Sequence, residues 1–378
     1  MKKAMPYIRS IIFIVLMFVI FAACDYVFST SGYIRCILHR VNDSGGNYDT
    51  VILGASHARS AIDPHYLDDE LGVNAINVAI PGETVWDSYY LIQDIDRKND
   101  IKTLILDVDY QYWNKEQPEN HFTKPFIYQQ MAFSPVKLKY LWDNQSTIDI
   151  RNVFTKRLSY NCEVSAVQKN LKRKFSKAYQ AFSLETATVD GADGPYKGKG
   201  FFYRKVSGQQ PGGEGYLQSW IGLEKCGLDQ DVIDVFTKMK QYCDDNGIRL
   251  ICVSSPVTPS AVKRLGMHTV HRNLAEVFNQ MGVEYYDFNL TRNSVLPRTD
   301  LDYGDLEGHM GGELAEQYSS ILSDVVADSM DGAVDRSKYF YQTFNEMYED
   351  MGYGAVDTTD QDAYQCAVMN TYIKEGEN

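Results

Sequence analysis

Apolar and polar positions follow two rhythms along this chain. Short, almost uninterrupted apolar runs of strand length recur at Val51–Leu53, Ala75–Ile80, Thr103–Val108, Ile248–Ser254 and Val283–Phe288. Between them, apolar residues recur at helical spacing over Pro64–Leu71, Thr84 to about Asp96, Asp229–Asn246, Ala261–Met281 and Gly311–Asp328. Thr84 is a capping residue type placed before a run whose Trp86, Tyr89, Tyr90, Ile92 and Ile95 fall on one side. Leu314, Tyr318, Ile321 and Val325 do the same in the last helix. Strands without polar alternation are buried on both faces, and strands separated by helices pair in parallel. The pattern predicts a doubly wound α/β sheet. In such a sheet functional groups gather beyond the carboxyl ends of the strands, where Ser56, Gly82 and Asp109 fall.

The alternation is interrupted from about 115 to 228, a stretch rich in Tyr, Lys and Gly that reads as a cap or rim inserted into one domain spanning 29–330. Residues 331–378 begin acidic and aromatic and turn polar, which predicts a helical appendage with a frayed end. Residues 1–28 form a cytoplasmic stub and membrane anchor: Lys2, Lys3 and Arg9 precede the charge-free run Ile11–Cys24, and Asp25 follows it. Basic residues before an apolar run and an acidic one after it place the N-terminus in the cytoplasm and the rest outside. The run is short for a span, and Tyr7, Ile8 and Tyr26–Phe28 extend it with aromatic rings suited to the interface. An uncleaved signal anchor is the first reading. Phe21-Ala22-Ala23-Cys24 is a rough lipidation signal that would acylate Cys24, and cleavage to a secreted form is the third possibility.

The net charge of −13 argues against a nucleic-acid partner. Lys172, Arg173, Lys174 and Lys177 are a local exception that reads as a solvated helix face. None of the seven cysteines has the close spacing of a metal knuckle or redox pair. Cys243 and Cys252 read as buried thiols, while Cys36, Cys162, Cys226 and Cys366 are open to disulfide formation outside the cytoplasm. No glycine-rich phosphate loop follows the first strand, and no cofactor is called for.

Chemistry concentrates in two blocks. Gly54-Ala55-Ser56-His57-Ala58-Arg59-Ser60 follows the first strand, so small residues flank a serine where a sharp turn can aim its hydroxyl out of the sheet. Asp305-Leu306-Glu307-Gly308-His309 precedes the last helix and supplies a histidine with two carboxylates. A serine and an acid–histidine cluster suggest nucleophilic acyl chemistry. His57, an immediate neighbour of Ser56, suits a structural or rim role better than that of its base. Asp107 and Asp109 share a face at the third strand's end and read as loop anchors.

Val51-Ile-Leu-Gly-Ala-Ser-His-Ala-Arg-Ser-Ala-Ile-Asp-Pro64, Asn77-Val-Ala-Ile-Pro-Gly-Glu83, Thr103–Tyr110 and the Asp305/His309 block together resemble the SGNH (GDSL-like) hydrolase family. They are most similar to its membrane-anchored bacterial branch of teichoic-acid D-alanylation and exopolysaccharide O-acetylation proteins. The resemblance implies a flavodoxin-like three-layer sandwich, with Ser56 as nucleophile and His309 as base. It implies an acid orienting His309, usually three residues before it; here that position is Leu306, so Asp305 is the choice, with Asp302 and Glu307 as rivals. Oxyanion donors would be the backbone N–H groups of Ser56 and Gly82. The family's third donor, an asparagine in a Gly-x-Asn-Asp block, is missing, and Asn114 is its possible substitute. The implied activity is ester hydrolysis or O-acyl transfer on a cell-envelope polysaccharide, teichoic-acid-like polymer or polyol, alongside a polytopic membrane O-acyltransferase. The alternative is a catalytically inactive scaffold or glycan-binding partner of that transferase.

The charge asymmetry around the apolar run generates a topology test. Cysteines introduced after residue 30 should react with membrane-impermeant reagents on intact cells. Labelling that required lysis of the inner membrane would reverse the orientation.

Overall fold

A computed structural model describes residues 5–28, 32–43, 47–109, 112–113, 123–148, 164–186, 194–208, 228–264, 267–332 and 334–354. The chain divides into two compact units, one of residues 1–40 with 119–189 and the other of 41–118 with 190–378. The first contains a 24-residue helix, Met5–Phe28, long and apolar enough to cross a membrane and with its apolar side chains exposed. Lys174 lies over the Tyr26 ring at its end, and Arg35 stacks on Tyr179 and Phe182.

The second unit is built on strands β1 (Thr50–Leu53), β2 (Ala75–Asn77), β3 (Thr103–Asp107), the hairpin β4 (Tyr196–Gly198) and β5 (Phe201–Phe202), β6 (Arg249–Ser254) and β7 (Glu284–Asp287). Five of them form one parallel sheet in the order β2-β1-β3-β6-β7. Its inner strands are buried because their residues are apolar on both faces: Val51, Ile52 and Leu53 are fully enclosed, as are Leu104 and Ile105. Ile52, Ile105, Ile251 and Val253 pack with Ala58, Leu67, Leu314, Ala315 and Tyr318, which joins the helices Ser56–Ala61, Pro64–Leu71 and Gly312–Met330 to the sheet. A second group, Val85–Asp96 and Gln230–Asp245, packs together, with Trp113, Phe236 and Phe278 ring against ring.

Local signals set the boundaries. Thr84 and Asp87 form a reciprocal capping box at the start of Val85–Asp96. Asp63 caps Pro64–Leu71, and Gly72 ends it in a left-handed conformation at φ 65°. Within the span expected as one helix, Ala261–Met281, the described residues hold the helices Pro259–Arg264 and Met267–Gln280. β2 ends at Asn77, although Val78 and Ile80 continue to donate to Ile52 and Gly54. A helix at Ser56–Ala61, which the sequence reading lacked, begins immediately after β1.

Described parts of the rim and of the tail pack with the sheet unit. Residues 194–208, read as part of the cap, belong to the sheet unit: Phe201 enters its core and Asn77 N–H donates to Lys199 O at the β2 edge. The tail through 354 is also folded in. Arg292 N–H bonds Tyr339 O and Tyr341 N–H bonds Leu290 O, with Tyr339, Phe340 and Tyr348 buried. Aromatic side chains in an acidic stretch supplied enough apolar area to dock it.

Asn77 ties the sheet to the new helix. Its amide donates to Ala58 O and Ile62 O, both at 2.9 Å, and its carbonyl accepts from Ala79 N–H. Asn77→Ala leaves these buried groups without partners, so unfolding by denaturant should be easier by about 3 kcal/mol. An unchanged midpoint would show that the tie carries no stability.

Candidate active site

Ser56 is the first residue of its helix, a position whose N–H has no partner within the helix. The capping position is Ala55, which offers no side-chain bond. The Ser56 hydroxyl therefore does not cap the helix; it donates to His309 Nε2 at 2.7 Å. Gly54 makes this turn possible. At φ 147° it passes against Asp107 and Ala58, and a Cβ there would sit 3.0 Å from both.

His309 Nδ1 lies 2.8 Å from Asp305 Oδ2. The carboxylate can only accept, so Nδ1 carries the proton and Nε2 is left to accept from Ser56. The other Asp305 oxygen receives the Gly308 and His309 N–H groups, both at 3.2 Å. Glu307 stands farther off, its oxygen 3.9 Å from Nδ1. Asp302 faces elsewhere, accepting from Thr299 N–H and Oγ1. The spacing of four is absorbed by Gly308, at φ 109°, where a Cβ would overlap Val257 at 2.4 Å. Thr258 Oγ1 donates to Asp305 O, so the turn after β6 supports the loop from below.

Arg204 extends the chain. Its guanidinium, nearly buried, reaches Asp305 Oδ2 at 3.1 Å, and its carbonyl accepts from Gly312 N–H at 2.7 Å. Nothing in the sequence marked it, because it lies 101 positions from its partner in a stretch without periodicity. Asp305, Glu307 and His309 bring ligand-type atoms within 4.8 Å of one another. The Arg204 charge on the shared carboxylate oxygen opposes a second cation there, and the hydrogen bonds account for the grouping without a metal.

Gly82 occupies the third position of a turn closed by Glu83 N–H to Ile80 O at 2.8 Å. Pro81 in the second position and Gly82 at φ 77° define a type II turn. Ile80 N–H bonds Gly54 O at 3.0 Å, anchoring the turn two residues before Ser56. The buried Glu83 carboxyl accepts from Ile80 N–H and Ser88 Oγ, and burial pushes its pKa well up. Asn114, the possible third donor, lies outside the described residues, as do Cys162, Cys226 and Cys366; Cys36, Cys243 and Cys252 are buried free thiols.

Both strand-end aspartates hold neighbouring elements. Asp107 accepts from Ser255 N–H and Oγ, and burial raises its carboxyl to about 6. Asp109 Oδ2 is 2.8 Å from His57 Nδ1, both side chains nearly inaccessible. The His57 ring in turn lies 4.7 Å from that of His309. Burial opposes ionisation of Asp305, but the His309 contacts and Arg204 outweigh it and hold the carboxyl well below its usual range. Burial lowers His309, and the His57 charge adds to this against the opposing pull of Asp305. His309 is therefore neutral near pH 7 and able to accept a proton.

No protein-family model matches the chain, and neither does any curated protein sequence.

The distances rank the carboxylates. In an esterase or transferase assay Asp305→Asn should lower turnover about a thousandfold, since the amide favours the wrong imidazole tautomer. Glu307→Gln should lower it less than about tenfold, lacking a hydrogen bond to the ring. The opposite order would assign the orienting role to Glu307.

Proposed function

We propose that the protein is an extracytoplasmic, membrane-tethered serine acyl-ester hydrolase or O-acyltransferase of SGNH type, acting on a cell-envelope glycan or polyol. The observation that carries this reading is the hydrogen-bonded series Ser56–His309–Asp305 at the carboxyl edge of a parallel sheet. Strand order and two helix groups agree with the doubly wound, flavodoxin-like arrangement, whose order changes direction beside β1. The apolar helix Met5–Phe28 supports a tether.

In this reading Ser56 Oγ attacks the acyl carbonyl while His309 Nε2 takes the hydroxyl proton. The tetrahedral oxyanion forms against the Ser56 and Gly82 N–H groups. His309 then protonates the departing alkoxide, leaving an ester on Ser56. A sugar or polyol hydroxyl, or water, gives its proton to His309 and attacks that ester; the acyl–Oγ bond then breaks, His309 returns the proton to Ser56 Oγ, and the acylated acceptor or free acid leaves. Hydrolysis and transfer use the same residues and differ only in the acceptor admitted. A small acyl group such as acetyl or aminoacyl suits the reading, with a polytopic membrane O-acyltransferase as the source of acyl groups and a polysaccharide or teichoic-acid-like polymer as acceptor.

A fluorophosphonate probe should label the full chain at Ser56, and neither Ser56→Ala nor His309→Ala should turn over a small acetyl ester. The double variant should be little worse than either single one, because the pair acts as a unit. Near-normal turnover by Ser56→Ala would exclude the assignment. An unlabelled and inactive wild-type chain would favour a scaffold.

A further inference from the structure

Ser56, His309 and Asp305 account for the proposed chemistry, yet a second histidine–carboxylate pair is buried directly against them. His57 Nδ1 is 2.8 Å from Asp109 Oδ2, and the side chains are each only 4% exposed. The ring of His57 is tilted 37° against that of His309, with centroids 4.7 Å apart. The pair is assembled from both sides of the site. His57 is the second residue of the helix that begins with Ser56, and Asp109 lies just past β3.

We propose that His57 is a positioning residue for the acyl-transfer reaction: as an imidazolium held by Asp109, it keeps the adjoining His309 in the neutral form that can accept the Ser56 proton. The inference rests on the reading of Ser56 and His309 as nucleophile and base, and goes beyond it by giving the second pair a task.

The charges around both rings support this division. Burial alone would discharge His57, but Asp109, by charge and hydrogen bond, and the more distant Asp107 and Asp305 outweigh it and raise its pKa to about 9. Glu307, on the loop that carries His309, is also within electrostatic reach of His57. His309 faces Asp305, which favours its protonation, and the cations of His57 and Arg204, which oppose it. Asp305 must bind the ring tightly to fix its tautomer, and the same contact tends to protonate it. A neighbouring fixed cation offsets that side effect without loosening the hydrogen bond. Proximity in sequence is what makes the arrangement possible. The helix turns residue 57 away from the Ser56 hydroxyl but leaves it beside the base.

The sign follows directly. Activity needs neutral His309, so kcat/KM rises with pH through the His309 pKa. Removing the His57 charge lets His309 protonate more readily and moves that limb to higher pH. In His57→Gln and Asp109→Asn the acid limb should shift upward by about one pH unit, because a like charge at this distance disfavours protonation by that order. In detergent-solubilised full-length protein with 13C-labelled histidine, His57 should titrate above pH 7.5 and His309 below 6.5, values on either side of an ordinary imidazole at about 6.5. In Asp109→Asn the His309 midpoint should rise.

These ring titrations do not depend on turnover, so the two readings fail separately. Loss of fluorophosphonate labelling and ester turnover in the wild type would remove the catalytic reading alone. An active wild type with His57 neutral at pH 7, or a His309 midpoint and acid limb unmoved in Asp109→Asn, would overturn the role proposed for His57. A lowered plateau with an unmoved limb would reduce the pair to a packing element.

Discussion

The 2.7 Å hydrogen bond between Ser56 and His309 joins residues 253 positions apart. Bringing such distant groups to hydrogen-bonding distance costs chain entropy that one bond does not repay. The parallel sheet repays it. Once β1, β3 and β6 are in register, their carboxyl ends lie side by side, and each following loop begins from a fixed point. Cross-ties then remove the remaining freedom. Asp107 holds Ser255, Ile80 holds Gly54, and Thr258 holds Asp305. The site is thus a by-product of strand alignment refined by a few buried polar bonds.

Electrostatics imposes a second condition on the same space. In the proposed reaction Ser56 needs a neutral imidazole beside it, yet five acidic or basic side chains crowd around the two histidines: Asp107, Asp109, Arg204, Asp305 and Glu307. Asp109 is paired with His57 and Asp305 is shared between His309 and Arg204, while Asp107 is held by the Ser255 N–H and hydroxyl. Burial makes each pairing matter more, because an isolated charge at these depths is costly.

The strands and most helices were legible because apolar runs and caps are local signals. The Asp305–His309 pairing was legible for a related reason: a glycine before the histidine can take up one extra residue in a turn, and Gly308 does so at φ 109°. Arg204 was not legible. Its guanidinium and Asp305 meet only through the packing of the hairpin Tyr196–Phe202 on the β2 edge, and no periodicity announces a two-residue strand. His57 was judged by its direction relative to Ser56, which a helix turn does set, but its partner Asp109 comes from the segment just past β3. The tail was read as a helical appendage, and its described part does hold helices at Arg336–Tyr339 and Phe344–Asp350, but which of its aromatic rings turn inward, Tyr339, Phe340 and Tyr348 among them, depends on distant partners.

The hairpin has another effect, on the sheet's outer margin. A bare edge strand presents a row of amides and carbonyls to which any extended chain can bind. At β2 the Asn77 N–H is taken by Lys199 O, and Gly200 presses so close to Asn77 O that a Cβ would lie 1.9 Å from it. At β7 the Tyr285 carbonyl is taken by the Arg336 guanidinium, 2.7 Å away, which also lies over the Tyr286 ring. Both outermost strands are thus obstructed by segments of their own chain, so a second molecule meets no free ladder at those positions. Any contact it makes there must be through side chains, and the sheet does not grow by strand addition at either of these points.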